Sequence, residues 1–271
     1  MKKQPFHNFV VDHMTFLVEP DLYKTTYALF RVIFGVGRED LIYEKRSNWP
    51  GQKKPASMTF AARVGVEKDA RVPAQAIFAV VQPTEPKTRS SHVRAMLKNR
   101  GGSCHWQHVA LRTPDLLGFH KFCVERGVNF ITPILKDADE DLIQVFSGEW
   151  TVPGAAKPSA TFFEFVQRDP SAELLKQLET ASNRQAWFRD KTFLGLYGEK
   201  ENEYKRGRAV PFIDDALARR IASRLKGREV FEIEDSQLEQ VEADMLDYAA
   251  ARARTAGRSA ATSRSAPVSA P

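Results

Sequence analysis

Only two cysteines, Cys104 and Cys123, occur in 271 residues, and no Cys-x-x-Cys pair is among them. That scarcity excludes a disulfide framework and a thiolate zinc site, and it fits a reducing cytoplasm. Long apolar runs are also missing, since no stretch approaches the roughly 20 residues of a membrane span. Lys2 and Lys3 give the start a positive end, but His7, Asn8, Asp12 and His13 break the apolar residues before a secretion signal forms. A cytoplasmic protein without membrane contact is expected. A charge excess on the folded body is absent too. Lys and Arg number 40 against 34 Asp and Glu, yet four of the six surplus charges are Arg252, Arg254, Arg258 and Arg264, in a terminal stretch with no acid. Nucleic acid needs a basic stripe on the body, so it is not an expected partner.

What is present is 42% apolar and 27% charged residues, the balance of an ordinary globular protein. Within it the chain repeats itself. Val10 to Val18 alternates as a strand, Pro20-Asp21-Leu22 opens an amphipathic helix, and Gly35 stops it. Gln107 to Arg112 alternates likewise, Pro114-Asp115-Leu116 opens a helix, and Gly127 stops it. Short strands follow in each unit, over 58–64 and 76–82 in the first and over 129–134, 142–146 and 161–167 in the second. The expected architecture is α+β, with two βαβββ modules forming a curved mixed sheet around a cavity. The boundaries read as a first module over 8–88, then a linking helix and second module over 89–170. Ser90 or Ser91 is the expected N-cap of that linking helix, and Gly101-Gly102 its stop. A helical extension is expected over 171–254, with apolar stripes such as Ile221/Leu225 and Leu238/Val241/Met245/Tyr248. Residues 255–271 read as an unstructured basic tail.

The repeat is informative because it is uneven. His13 and His108 hold the same place on the two opening strands, whereas the aligned closing strands carry Glu164 in the second module and Ala79 in the first. If the modules share a cavity, two histidines and one carboxylate converge as a metal face with open positions for exogenous ligands. Glu164 lies among Phe162, Phe163, Phe165 and Val166, and a carboxylate buried there needs a cation or a set of donors. Among the other histidines, His105 stands in reserve as a ligand.

Several separated segments in order, Val11-Asp12-His13, Gln107-His108-Val109-Ala110-Leu111, Leu142 to Phe146 and Phe162 to Arg168, resemble the catalytic half of 4-hydroxyphenylpyruvate dioxygenase, of the vicinal oxygen chelate superfamily. The likeness covers roughly residues 8 to 205. It implies that His13, His108 and Glu164 are iron(II) ligands, that Gln107 and Gln144 orient the substrate, and that Phe146, Phe188 and Phe193 line an aryl slot. The implied reaction is oxidative decarboxylation of an aryl 2-oxo acid by O2, with hydroxylation of the same substrate. Departures from the family point to a changed substrate. Its Gly-Phe-Gly-x-Gly-Asn-Phe approach to the last helix is largely absent, and Arg94 stands near where the family has a third glutamine. Arg94 is therefore the expected partner of an extra anionic group on the substrate.

Two other readings stay open: an extradiol ring-cleaving dioxygenase, and a metal-free small-molecule binding protein on the same scaffold. A glyoxalase-type isomerase is disfavoured, because it needs a further carboxylate where Ala79 stands. The late helices are compatible with a homodimer.

Overall fold

The computed structural model describes residues 4–65, 76–137, 142–155, 159–178, 196, 199–203, 206 and 209–264. The first module runs β1 (Val10–Val18), α1 (Pro20–Val32), β2 (Leu41–Ser47), β3 (Ala56–Val64) and β4 (Ala76–Val81). After α2 (His92–Arg100), the second module repeats the order as β5 (Cys104–Arg112), α3 (Leu116–Glu125), β6 (Leu135–Asp137), β7 (Leu142–Glu149) and β8 (Phe162–Arg168). The eight strands form one sheet in the order β2-β3-β4-β1-β5-β8-β7-β6. Each module pairs its first and last strands in parallel, and β1 joins β5 antiparallel across the centre. This is the expected α+β architecture of two βαβββ modules joined in one mixed sheet.

Strand alternation sends one set of side chains to the helices and the other to the cavity. On the helix side, Leu116, Phe119 and Cys123 of α3 pack on Ile143, Val145 and Phe165. Tyr23 of α1 packs on Val18, Phe60, Ala62 and Val80. The linking helix α2 begins where expected: the Ser91 side chain accepts a hydrogen bond from the Arg94 backbone N–H, and Gly101 ends it at φ 63°. Its Val93, Met96 and Leu97 bury against Leu17 and Val81.

Four expectations are corrected. Strand β2 was not anticipated; its outward positions carry Glu44 and Arg46, as an edge strand requires. Residues 129–134 do not form a strand and make only isolated bridges, because the sheet edge opposite β7 is filled by Leu135–Asp137. The helical extension expected over 171–254 is not helical at 211–213, which bridges to Glu149 at the end of β7 and to Val128, and helix resumes as α5 (Asp215–Arg224). Gly148 permits that approach: a Cβ there would sit 2.2 Å from the Pro211 carbonyl oxygen. Finally, α6 (Asp235–Arg264) carries helix ten residues past 254, continuing the run that is Ala- and Arg-rich over 249–254. The helix that follows β8, α4 (Ala172–Leu178), buries Leu178 beside α3. Helix α6 docks on α5 and on the end of α3 through ion pairs of Asp244 with Arg220 and Arg224 and of Glu242 with Arg126. No helix among the described residues is long and apolar enough to cross a membrane.

Candidate metal centre

The central β1–β5 pair positions the site through two irregularities. Between Val11↔Leu111 and His13↔Ala110, β1 carries one extra residue, Asp12; between Thr15↔His108 and Phe16↔Trp106, β5 carries one extra residue, Gln107. The two bulges are related by the internal repeat, and each falls one residue before a histidine. A bulge re-aims adjacent side chains, so Asp12 and His13, and likewise Gln107 and His108, are near neighbours instead of pointing to opposite faces. Each bulged residue then holds the histidine that follows it. His13 Nδ1 donates to Asp12 Oδ1 at 3.1 Å, and His108 Nδ1 donates to Gln107 Oε1 at 3.2 Å. Both Nε2 atoms are thereby turned to a common point.

That point is occupied by Glu164. Its Oε2 lies 3.3 Å from His13 Nε2 and 3.1 Å from His108 Nε2. The register explains the convergence: Glu164 is the parallel partner of Ala110, as Ala79 is of Thr15, so Ala79 holds the place in module one that Glu164 holds in module two. Ligand atoms of His13, His108 and Glu164 all lie within 4.8 Å of one another, and His108 and Glu164 are buried. This donor set fits a divalent metal. The two imidazole nitrogens and one carboxylate oxygen share a face, and the opposite imidazole nitrogens are already engaged. Thr15 Oγ1, 2.8 Å from His108 Nε2, is a further oxygen at its edge.

The electrostatics suit a cation. Burial pushes the Glu164 carboxyl up, but the charge of His13 and hydrogen bonds from both histidines outweigh it and bring it down to about 2. Burial pulls His13 down, yet the charge of Glu164 and the bonds to Asp12 and Glu164 raise it to about 10. His108 is pulled below its usual range, chiefly by burial, with His13 and Lys200 adding repulsion. Asp12 is buried and bound by two Arg168 nitrogens at 2.8 and 2.6 Å. Burial alone raises its carboxyl, but Arg168 and His13 hold it below the ordinary carboxylate range.

A cavity of about 420 Å³ opens on the metal face, within the range of small-molecule sites. Gln107, Gln144 and Phe146 all line it. The Gln107 Nε2 group is buried without a hydrogen-bond partner among the described residues. Phe146 stands 6.1 Å from the His108 ring, and Phe162 stands 5.2 Å from it. Across from these, Thr59, Ala61 and Ala79 make a wall of small side chains. Leu196 closes part of the cavity and packs on Phe146 and Phe162. Lys200 is wholly buried, and its ammonium lies 2.8 Å from both Glu149 and Glu203 and 4.7 Å from the Phe162 ring.

One expected residue is placed elsewhere. Arg94 donates to the carbonyl oxygens of Glu85 and Arg89, at 2.8 and 3.1 Å, and it is not among the residues lining the metal-face cavity. The reason is local: α2 turns its first turn back over the preceding loop. Phe188 and Phe193 lie outside the described residues. Residues missed from sequence are Asp12, Thr15, Arg168 and the Lys200 cluster. Asp12 carried a usable signal, since it precedes His13 as Gln107 precedes His108.

No family model matches the chain, and no curated protein does. Among solved structures it is similar to a triple mutant of 4-hydroxymandelate synthase from Streptomyces coelicolor, with TM-score 0.48 and 15% identity over 72% of this chain and 54% of that one. The chain thus spans about half of that synthase. It is also similar to a variant of Streptomyces coelicolor methylmalonyl-CoA epimerase, with TM-score 0.39 and 14% identity over 58% of this chain and 96% of that one. A second methylmalonyl-CoA epimerase gives TM-score 0.41 and 16% identity over 62% of this chain and 99% of that one.

Proposed function

We propose that the protein is a non-haem iron(II) dioxygenase acting on an aryl 2-oxo acid. One observation carries the reading: two histidine nitrogens and a single carboxylate converge on one face of a cavity, with Ala79 where a second carboxylate would close the set. Three protein ligands leave room for a chelating substrate and O2. Iron(II), when bound by His13, His108 and Glu164, supplies Lewis acidity toward the 2-oxo acid and electrons for O2. In the overall reaction the substrate carboxyl leaves as CO2, one oxygen atom enters the new carboxylate and the other becomes a hydroxyl on the same molecule.

The chain's own residues bind, orient and exclude water. Gln107 Nε2, buried and unpartnered among the described residues, offers a neutral donor beside the second histidine, suited to a substrate oxygen without competing for metal. Gln144 gives a second amide, and Phe146 an apolar ring face for an aryl group. Asp12 and Gln107 fix the imidazole orientations, so the nitrogen that faces the metal is the one left free.

The reading is tested by anaerobic titration of iron(II) into the protein with 4-hydroxyphenylpyruvate, followed by admission of air. A visible charge-transfer band, oxygen uptake and CO2 release are expected, all lost in His108→Ala. Failure to bind iron at all would refute the dioxygenase and favour a metal-free binding protein.

A further inference from the structure

Arg94 was the expected anion partner in this pocket, but the structure puts a different arginine there. Arg63 lines the cavity with the metal ligands. Unlike Arg168, which is held by Asp12, Arg63 makes no ion pair and no side-chain hydrogen bond among the described residues. Its place follows from the register. Arg63 pairs with Ile77 on β4, and one step back from the Met14↔Phe78 partnership brings Ile77 beside His13. His13, Ile77 and Arg63 thus form one row across three strands, all on the cavity side. Two strand spacings put the Arg63 and His13 backbones about 10 Å apart. That is the scale of an aryl ring with a three-carbon 2-oxo acid chain.

The charges ask for a partner. Glu164 is the one carboxylate among the described lining residues, and it is committed to the metal face. Beside Arg63 the lining includes Ala61, Ile77 and Ala79, which offer a guanidinium no side-chain acceptor, and Tyr43 on β2, whose hydroxyl is neutral. A planar guanidinium set in such a wall matches a carboxylate with two parallel hydrogen bonds. We infer that the cavity takes a 2-oxo acid bearing a second carboxylate at its far end, bound by Arg63. This inference rests on the proposal that the 2-oxo acid end chelates the metal, and it adds the class of substrate.

The test uses the cobalt(II)-loaded full-length protein, whose visible spectrum reports ligand binding without turnover. Phenylpyruvate and 4-carboxyphenylpyruvate are titrated into wild type, Arg63→Met and Arg63→Lys. Wild type is expected to bind the dicarboxylate about 10- to 100-fold more tightly, the worth of a charge-assisted pair. In Arg63→Met that preference should fall to about one, with phenylpyruvate affinity changed less than about twofold; Arg63→Lys should fall between. Melting curves confirm that the variants fold. If both acids perturb the spectrum equally in wild type, chelation stands and the second-carboxylate class is overturned. If neither perturbs the spectrum of bound cobalt, the 2-oxo acid reading falls and the dicarboxylate class with it.

Discussion

Replacing Asp12 by Asn tests whether the bulged residues govern the metal centre. The carboxylate accepts from His13 Nδ1 at 3.1 Å and is itself clamped by Arg168. An amide keeps one acceptor of similar shape but removes the charge that makes His13 a strong donor to metal. Losing such an outer partner costs about 10- to 100-fold in metal affinity, or roughly 1.4–2.7 kcal/mol. The repeat supplies an internal comparison. Gln107 does the same for His108 with a neutral oxygen, and a neutral hydrogen bond is about half as strong, so Gln107→Leu should cost only about 3- to 10-fold. Anaerobic competition for iron(II) or cobalt(II) against a chromophoric chelator measures both, with far-UV circular dichroism to show that the fold is kept. Two results would refute the reasoning: Asp12→Asn binding metal within about twofold of wild type, or Gln107→Leu losing more affinity than Asp12→Asn.

Metal uptake should depend on pH with a definite sign. In the metal-free protein His13 titrates at about 10 instead of 6.5, so it holds a proton that metal must displace. Affinity should therefore rise about tenfold per pH unit across the neutral range, with about one proton released per metal, read by calorimetry in two buffers of different ionisation enthalpy. Stability of the metal-free protein runs the other way. The raised His13 contributes fully below 6.5 and loses its contribution as pH rises through about 10; the lowered Glu164 contributes above 4.5 and loses it as pH falls through about 2. The pH optimum of its melting temperature should thus lie between 4.5 and 6.5 so far as these two groups set it. Cys123 is buried, and burial pushes its thiol up to about 12, whereas Cys104 is exposed. A thiol reagent at pH 8 should titrate one group in the native protein and two after denaturation. Ala79→Glu should raise divalent-metal affinity about tenfold or more and weaken 2-oxo acid binding, and unchanged values for both would show that position 79 does not reach the metal face.

Much of this was legible because the fold is a repeat whose halves share a punctuation. Strand, Pro-Asp-Leu helix start and glycine stop recur, and aligning them placed His13 with His108 and Ala79 with Glu164 before any coordinates. The pairing register then reproduced the same correspondence. What stayed hidden depends on backbone irregularity or long-range register. A bulge leaves no mark in composition, so the sequence assigns Asp12 no role beside His13, although its side chain accepts from His13 Nδ1. Arg63 sits on an alternating strand like many surface arginines, and only the β3–β4–β1 register brings it into the row of His13. Arg94 failed for a related reason: helix spacing says which residues share a face but not that the preceding loop folds back to use its guanidinium.

The unevenness of the repeat also fixes the charge of the site. A fully symmetric pair of modules would offer two histidines and two carboxylates, which would neutralise a divalent metal and fill four positions. With Ala79 in place of the second carboxylate, a divalent metal held at the site and Glu164 would together keep one positive charge, and the first-module wall keeps the space a glutamate would have taken. Asp12 and Arg168 add nothing net, because the buried carboxylate and the half-buried guanidinium cancel each other. Arg63 adds a second positive charge at the far side of the same cavity. The surroundings of Gln107 and Gln144 are neutral and cannot balance either one. On the proposed reading, a ligand that satisfies the site brings negative oxygen to the metal, in the space above Ala79, and a second negative group toward Arg63, so that one missing carboxylate would shape both the chemistry and the choice of substrate.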